Sequence, residues 1–463
     1  MASLTTVPVE IVLEIVKYIL DENLRLPMVG REAAWVLPSE SKILTGATPF
    51  RKSARKRGLL GEPVEREEGD SDEKEYEKPC CTLKALRSTN RFFAEVCRPF
   101  LYQELNLILD MTPGKWKRAR DHFIIPQWSY IHVISVYLDP PYPLMDNRFE
   151  RQAKNIDFLL TECQNLTTLA LYYRHPDPCL DIIKDSLISS IVNGRLSSLG
   201  FYSDRLLRDS EDRGSTIVHG LGDLLDALVE DPGVQKRLRV LDIVTEHVPT
   251  HTFDAIRSKL TNLTSLTLRR SIGAPWFLHR VWDLDQRPRW ANLAGLTRLQ
   301  LGNFEPGHAA HIPPLVGHFT QLKELLISAC GNETFQTVLR PQGWSTQPDA
   351  LCKKRQPLTS FFIEHMDDYE LYELGLIPTT TLIVTTVKRH HLLVNLRRDP
   401  EIFPGIKVLR LAHIPPSFKR GLEDGDDTSG EKELQKICDG RGIEIRRDAR
   451  PNWTCVCTSE EGF

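Results

Sequence analysis

Metal-binding residue types occur at few suggestive spacings in this chain. His308 and His311 form an H-x-x-H pair, which differs from the H-E-x-x-H motif that zinc proteases carry on a helix with its glutamate base. No glutamate stands in that arrangement here, and Pro313 and Pro314 predict a loop instead. We therefore expect a surface loop at these histidines and no metal site.

The cysteines and the catalytic motifs searched for also indicate no functional site. Cys455 and Cys457 lack the second pair of ligands that a zinc site needs. The sequence contains no G-x-S-x-G, Walker A loop or G-x-G-x-x-G, the signatures of nucleophilic catalysis and phosphate binding. We predict a non-catalytic protein that uses no cofactor. An enzyme of unrecognised family is the alternative, and a deep polar pocket lined by histidines or carboxylates would favour it.

Charge and composition favour an intracellular protein. The formal net charge of −3 indicates no global preference for nucleic acid, and no apolar run approaches the ~18 residues of a membrane helix. The first basic residue is Lys17, which argues against a secretory signal. Ten cysteines are too few for a disulfide scaffold in a chain of 463 residues. We expect a cytoplasmic or nuclear protein with neither nucleic-acid nor membrane partners.

A recurring leucine pattern positions the residues that can contact a partner. In residues 260–268, LTNLTSLTL, the side chains of Leu263, Leu266 and Leu268 have L-x-x-L-x-L spacing. Successive side chains of a strand point to opposite faces, so Leu266 and Leu268 share one face. Similar copies lie at 131–136, 166–171, 196–201, 238–243, 296–301, 322–327, 358–363 and 406–411, with a weaker one near 382–384.

Helical segments separate these copies. Helical spacing of apolar residues is present at 151–163, 180–192, 218–230 and 252–260. The alternation of helix and short strand favours parallel strands, each returned by a helix. The sequence therefore predicts an α/β fold with a leucine-rich-repeat-like solenoid at residues 108–450, followed by a polar tail at 451–463. Toward the end we expect a surface loop at 423–433, a helix at 434–438 and a strand at 442–445.

The strand positions between the leucines are predicted to line the concave face of the solenoid. Stacked repeats present such faces as extended recognition surfaces, and aromatic residues and arginine often anchor protein interfaces. We predict that substrate-protein binding uses one residue from each of eight strands, namely Tyr172, Tyr202, Asp242, Arg269, Gln300, Glu324, Glu364 and Arg410.

The N-terminal region predicts a helix followed by a charged insertion. Pro8 suits the first position of a helix, and Ile11, Ile15 and Ile19 continue an apolar stripe. The pattern breaks at about residues 22–79, where a basic cluster precedes an acidic stretch. Such a stretch predicts disorder. The basic cluster is interpreted either as a solvated loop or as a nuclear-import signal.

Residues 4–20 and 82–107, joined across this insertion, resemble an F-box. The family opens with Leu-Pro, a glutamate and an aliphatic stripe, which stand here as Val7-Pro8, Glu10, Ile11, Ile15 and Ile19. The two later helices of the family correspond to the stretches 86–93 and 98–102. An interrupted F-box followed by divergent repeats resembles the large fungal sets of such proteins.

The resemblance implies a helical module at residues 1–107 that docks on a Skp-type adaptor and, through it, on a cullin. It implies a substrate-recognition role in an SCF-type ubiquitin ligase, in which the solenoid holds an unknown protein substrate. The implied adaptor contacts are Val7, Pro8, Ile11, Ile15, Ile19, Leu86 and Phe92. The alternative is a leucine-rich-repeat scaffold without a ligase role, in which the N-terminal helix only caps the solenoid.

Overall fold

A computed structural model describes the repeat region and leaves most of residues 1–101 outside the described part. The described residues are Glu95, Arg98 and the ranges 102–108, 113–138, 148–173, 179–203, 219–244, 250–269, 293–304, 312–329, 355–364, 371, 374–385, 389–399, 401–412 and 428–448. All seven residues predicted to contact the adaptor lie outside these ranges, as do His308, His311, Cys455 and Cys457.

Twelve parallel strands form one sheet in the described residues, and their spatial order follows their order in the chain. The strands are β1 Glu104–Ile108, β2 Val133–Leu138, β3 Thr168–Tyr173, β4 Ser198–Ser203, β5 Val240–Val244, β6 Ser265–Arg269, β7 Arg298–Phe304, β8 Glu324–Ala329, β9 Ser360–Glu364, β10 Thr381–Thr385, β11 Val408–Ala412 and β12 Glu444–Asp448. The α/β, parallel-strand solenoid predicted from the leucine pattern is therefore confirmed.

Helices lie between many of these strands. The longer ones are α1 Pro113–Ala119, α2 Arg148–Glu162, α3 Cys179–Val192, α4 His219–Glu230, α5 Pro232–Arg237, α6 Thr250–Lys259, α7 Ile312–His318, α8 Arg389–Arg398 and α9 Thr428–Arg441. Short π-, α- and 3-10 turns follow α1 at Arg120–Ile124, Ile125–Gln127 and Trp128–Tyr130. Helix α3 packs on α2, α4 packs on α3 and α6 packs on α4. The helices therefore stack in the same order as the strands.

The repeated leucines place the core on one face of the sheet. In β6, Leu266 and Leu268 are fully buried and align with Leu299 and Leu301 of β7. This register continues along the sheet, and the aligned side chains form one apolar cluster with residues of the helices such as Leu224. Each repeat thus buries its apolar side against its neighbours, as a solenoid requires.

A backbone ladder keeps the register although the repeats differ in length. The residue before most strands donates its N–H to the carbonyl of its counterpart in the preceding repeat, as Thr264 does to Arg239 and Thr297 does to Thr264, both at 2.8 Å. Lys323 N–H donates to Thr297 at the same distance. These strands therefore enter the sheet at the same level, and extra residues are accommodated elsewhere in the repeat.

The two ends of the sheet differ from the sequence prediction. Strand β1 begins at Glu104, before the predicted start of the solenoid at residue 108, because the alternating Leu105 and Leu107 join the core. Helix α9 begins at Thr428, so the last part of the predicted loop at 423–433 is helical, and the helix is longer than 434–438. Gly442, at a φ of +67°, ends α9 and leads into the predicted end strand.

Candidate partner-binding face

The strand residues between the leucines point away from the helices. We call this side of the sheet the helix-free face. Its central line of residues, the middle row, is continuous in register from β3 to β12. The middle row consists of Ala170, Gly200, Asp242, Thr267, Gln300, Leu326, Phe362, Ile383, Arg410 and Arg446. Its chemistry changes along the sheet from small and polar to apolar and then to basic.

A tyrosine pair occupies the N-terminal part of the face. Tyr172 and Tyr202 are paired in register on β3 and β4, and their rings stack with centroids 4.7 Å apart and an interplanar angle of 15°. The Tyr202 hydroxyl donates a hydrogen bond to Asp242 Oδ2 at 3.0 Å. Tyr202 therefore reaches from β4 to the middle row of β5, and it contacts both of the other predicted residues, Tyr172 and Asp242.

Gly200 allows this arrangement. A Cβ added at Gly200 would lie 2.4 Å from Cε2 of the Tyr202 ring and 2.8 Å from its hydroxyl oxygen. Real Cβ contacts are not this short, so any larger residue would force the ring to move. The Tyr202 ring thus lies across the backbone of its own strand in space that only a glycine leaves open.

The surroundings of Tyr202 favour its neutral form. Burial raises the pKa of Tyr202 well above its ordinary value, and the negative charge of Asp242 raises this pKa further. A neutral phenol keeps its proton for Asp242, so the hydrogen bond is maintained throughout the physiological pH range.

A polar group follows on β7 and β8. Arg298 and Glu324 are paired in register, and Arg298 Nε lies 3.5 Å from Glu324 Oε2. With the Gln300 amide oxygen turned toward Arg298, it accepts from Nη2 at 3.0 Å and from Nε at 3.2 Å. Arg298 was absent from the predicted binding residues, yet it links the predicted residues Gln300 and Glu324.

An apolar strip interrupts the polar chemistry on β8, β9 and β10. Leu326, Phe362 and Ile383 form their own cluster, separate from the main core, and their side chains are 3%, 2% and 3% exposed. None of the three was among the predicted binding residues. Applying the alternation to every residue of each strand, rather than selecting one residue per strand, would have found this strip.

Basic residues follow the strip at the end of the sheet. The predicted residue Arg410 is half-buried on β11, and Arg446 is exposed on β12, next to it in register. Arg446 donates to Glu444 at 2.8 and 2.9 Å. Arg269 and Glu364 lie at strand ends on the same side of the sheet by register, and their side chains are outside the description.

The face carries ordered aromatic, charged and apolar groups. Across the described ranges, no group of three or more histidine, cysteine, aspartate or glutamate side chains is placed to hold a metal ion. The helices in those ranges include none that is long and apolar enough to cross a membrane. The face combines stacked rings, buried charges and an apolar strip, which are the elements of protein recognition.

Comparison with known proteins supplies a fold resemblance and no family. Neither the family models nor the curated proteins match this chain. A similar solved structure is the leucine-rich repeat-containing protein LegL7 from Legionella pneumophila, at 13% identity and a TM-score of 0.39, covering 72% of this chain and 98% of that one. At those values the similarity supports no conclusion about function. The strand order and register define the chain as an α/β solenoid of the leucine-rich-repeat type.

Proposed function

We propose that this chain is a substrate-recognition subunit of an SCF-type cullin–RING ubiquitin ligase. Its N-terminal module docks on a Skp-type adaptor, and the helix-free face of the solenoid binds the protein to be modified. The chain performs no bond chemistry in this role. It holds a substrate lysine near a ubiquitin-charged enzyme, so the rate increases through proximity.

The observation that carries the binding role is the contrast in chemistry across the sheet. The helix side repeats leucine-type residues, whereas the middle row passes from Asp242 through Phe362 to Arg446. A repeated core needs no such variation on its opposite side, and stacked repeats commonly recognise partners with that side. The tyrosine pair and Arg298 are residue types that often dominate interface energies.

The adaptor-binding role is supported by the F-box resemblance of residues 4–20 and 82–107. In this proposal Pro8, Ile11, Ile15 and Ile19 form an apolar helical face that packs into a groove of the adaptor. The position of the module also fits, because the sheet begins at Glu104, just after the last F-box-like helical stretch at 98–102. In this proposal the N-terminal module binds the adaptor, and the solenoid binds the substrate protein.

Pull-down of purified adaptor tests the module. We expect a Pro8→Ala/Ile11→Ala variant to lose at least about tenfold in adaptor affinity, because two apolar contacts of a helix-in-groove interface are removed. A Glu14→Ala/Lys17→Ala variant changes the other side of the same helix and should bind normally. Wild-type adaptor yield from a folded Pro8→Ala/Ile11→Ala variant would contradict the proposal.

Deletion of residues 24–78 tests the insertion separately. We expect the shortened chain to keep adaptor binding, because the resemblance continues on both sides of the charged stretch. Adaptor binding measured side by side with the intact chain decides this. Loss of binding would show that the insertion is part of the module.

A leucine-rich-repeat scaffold without a ligase role is the second candidate. It is supported by the parallel solenoid of the described residues, which needs no N-terminal adaptor module. In that case the N-terminal helix caps the first repeat, and the chain binds partners through the helix-free face alone. A wild-type chain that fails to bind the adaptor while retaining a protein partner would favour the scaffold.

A further inference from the structure

Two large apolar side chains are exposed next to each other in the turns that lead from α1 to β2. Ile125 is 36% exposed and Trp128 is 39% exposed. In the part of the chain that the structure describes, the other large apolar side chain exposed to this degree is Ile182, which lies apart from them on α3. An exposed apolar pair at neighbouring positions is a candidate contact surface.

Positive charge is concentrated directly before this pair. Residues 113–128 contain four basic side chains and one acid, Asp121, which gives a formal charge of +3, whereas the whole chain carries −3. Lys117, Arg118 and His122 are exposed. A basic region therefore adjoins the exposed apolar pair.

These groups share one side of a helical stretch. Residues 113–130 stay helical through α1 and the three short turns that follow it. Arg118, His122, Ile125 and Trp128 are separated by four, three and three residues, and such spacing places side chains on one face of a helix. We call this side the basic–apolar surface; it consists of Lys117, Arg118, His122, Ile125 and Trp128.

The opposite side of the stretch is fixed to the array. Trp116 packs edge-on against Phe158 of α2, with ring centroids 6.2 Å apart. Phe123 packs against Tyr102 at 5.3 Å, and Ile124 is fully buried. The surface is therefore held in place before any partner arrives, which lowers the entropic cost of binding.

The one acid of the stretch is already matched by a cation. Arg120 Nε donates to Asp121 Oδ1 at 2.7 Å. This hydrogen bond lowers the pKa of Asp121, and the charges of Lys117 and His122 lower it further. Lys117 and His122 therefore lie close to the same carboxylate, and the positive charge of the surface exceeds what Asp121 can neutralise.

We propose that the basic–apolar surface binds an acidic segment of a partner protein that also carries an apolar anchor side chain. Acidic residues of the segment pair with Lys117 and Arg118, and the anchor packs against Ile125 and Trp128. The helix rises about 12 Å from Lys117 to Ile125, and an extended segment covers that distance with about four residues. A segment whose acids and anchor are about four residues apart therefore contacts both halves of the surface.

The surface suits a protein better than a nucleic acid or a membrane. A phosphate backbone along the stretch would meet the carboxylate of Asp121, and Ile125 offers no ring on which a base can stack. A membrane helix at an interface presents a much broader apolar face than two side chains. The contact lies beside α2, away from the helix-free face, and does not depend on adaptor binding or on a ligase role.

Fluorescence anisotropy with the full chain and a labelled synthetic peptide tests the proposal. The peptide carries four glutamates, a spacer of three glycine or serine residues and then Leu-Phe. Two control peptides carry lysines in place of the glutamates or Ser-Ser in place of Leu-Phe. We expect the first peptide to bind at least about tenfold more tightly than either control, because each control loses one of the two contacts.

Variants of the chain locate the binding site. Lys117→Glu/Arg118→Glu should weaken binding of the first peptide at least about tenfold, and Trp128→Ala at least about fivefold. Lys117→Gln/Arg118→Gln is the second variant, in case the charge reversal disturbs folding. The matched controls are Lys154→Glu on α2 and Ile182→Ala on α3, which alter exposed side chains elsewhere and should bind as the wild type does.

Three outcomes overturn the proposal. One is a wild-type chain that does not bind the first peptide at concentrations up to about 1 mM. Another is equal peptide affinity for the wild type and the folded surface variants. The third is binding of a single-stranded oligonucleotide or of phosphatidylserine vesicles through the same side chains while the peptide fails to bind.

Discussion

The two faces of the sheet follow opposite rules. On the helix side, neighbouring strands present the same kind of residue at the same level, as with Leu266 and Leu299 or Leu268 and Leu301. On the helix-free face, aligned residues change from one strand to the next, as from Gln300 to Leu326. The first face is uniform because every repeat packs its apolar side chains against those of its neighbours. The second has no shared packing requirement and can differ at each strand.

The comparison separates the residues that stabilise the array from those of the proposed binding face. A solenoid is stabilised by contacts between adjacent repeats, so the core needs only continuity of apolar residues along the array. Residues on the other face contribute less to that continuity. The tyrosine pair and the apolar strip nevertheless show that this face has internal order of its own, and substitutions can measure how much of it supports the fold.

Two adjacent phenylalanines provide the most direct test of how much each face contributes to stability. Phe361 is fully buried in the main core and Phe362 lies in the strip on the opposite face. We expect Phe361→Ala to lower the free energy of unfolding by about 3–5 kcal/mol, since a large cavity forms among packed repeats. Phe362→Ala should lower it by less than half as much, because the strip can collapse or admit water.

Denaturant titration of both variants and the wild type measures these losses. Far-UV circular dichroism before titration serves as the folding control. Equal losses for the two variants would show that the helix-free face is as much a part of the stabilising core as the helix side.

Substitution of Gly200 has the next largest expected effect. The added Cβ of Gly200→Ala would press on the Tyr202 ring at 2.4 Å, and overpacking of this kind costs about 1–3 kcal/mol. The matched control is Gly114→Ala, where a Cβ meets nothing within 4 Å and α1 should gain slightly from a better helix former. Thermal unfolding of the two variants checks this difference. A neutral Gly200→Ala would mean that the ring does not need the space.

Removal of the Tyr202 hydroxyl should have a smaller effect. Tyr202→Phe keeps the ring stack and loses the hydrogen bond to Asp242, which should lower the free energy of unfolding by about 1–2 kcal/mol, since the acceptor carries a charge. Urea titration at neutral pH measures the change. A loss below about 0.3 kcal/mol would show that water replaces the tyrosine without cost.

The same variant has a pH signature. Because the pKa of Tyr202 is raised by folding, its contribution to stability is complete below the unfolded value near 10 and is lost as the pH rises further. We expect the free energy of unfolding to fall less steeply for Tyr202→Phe than for the wild type above pH 10. Parallel slopes for the two proteins would contradict a raised pKa.

Substitution in a surface ion pair should have the smallest effect on the free energy of unfolding. Arg397 of α8 contacts Glu433 of α9, and both side chains are largely exposed. We expect Arg397→Ala to change the free energy of unfolding by no more than about 0.5 kcal/mol, as is usual for exposed pairs. Chemical denaturation with added salt checks this. A loss above about 1.5 kcal/mol would place the stacking of these helices among the main stabilising contacts.

The core of this molecule was more predictable from sequence than its helix-free face. The L-x-x-L-x-L spacing located most strands, because alternation and burial act within a few residues. It missed β1, where Leu105 and Leu107 give only two core positions beside residues assigned to helices. Tyr172, Tyr202 and Asp242 lie on one face by register. The contacts of Tyr202 with the other two depend on strand neighbours and on Gly200, which a single repeat does not reveal.

Affinity purification of the full chain tests the central claim, which is that separate regions bind the adaptor and the substrate. The wild type is compared with an Arg410→Glu/Arg446→Glu variant, which reverses charge in the accessible part of the middle row. Mass spectrometry should find the Skp-type adaptor with both chains and at least one further protein that the variant loses by about tenfold or more. Absence of the adaptor from the wild type, or an identical set of partners for the variant, would contradict the proposed function.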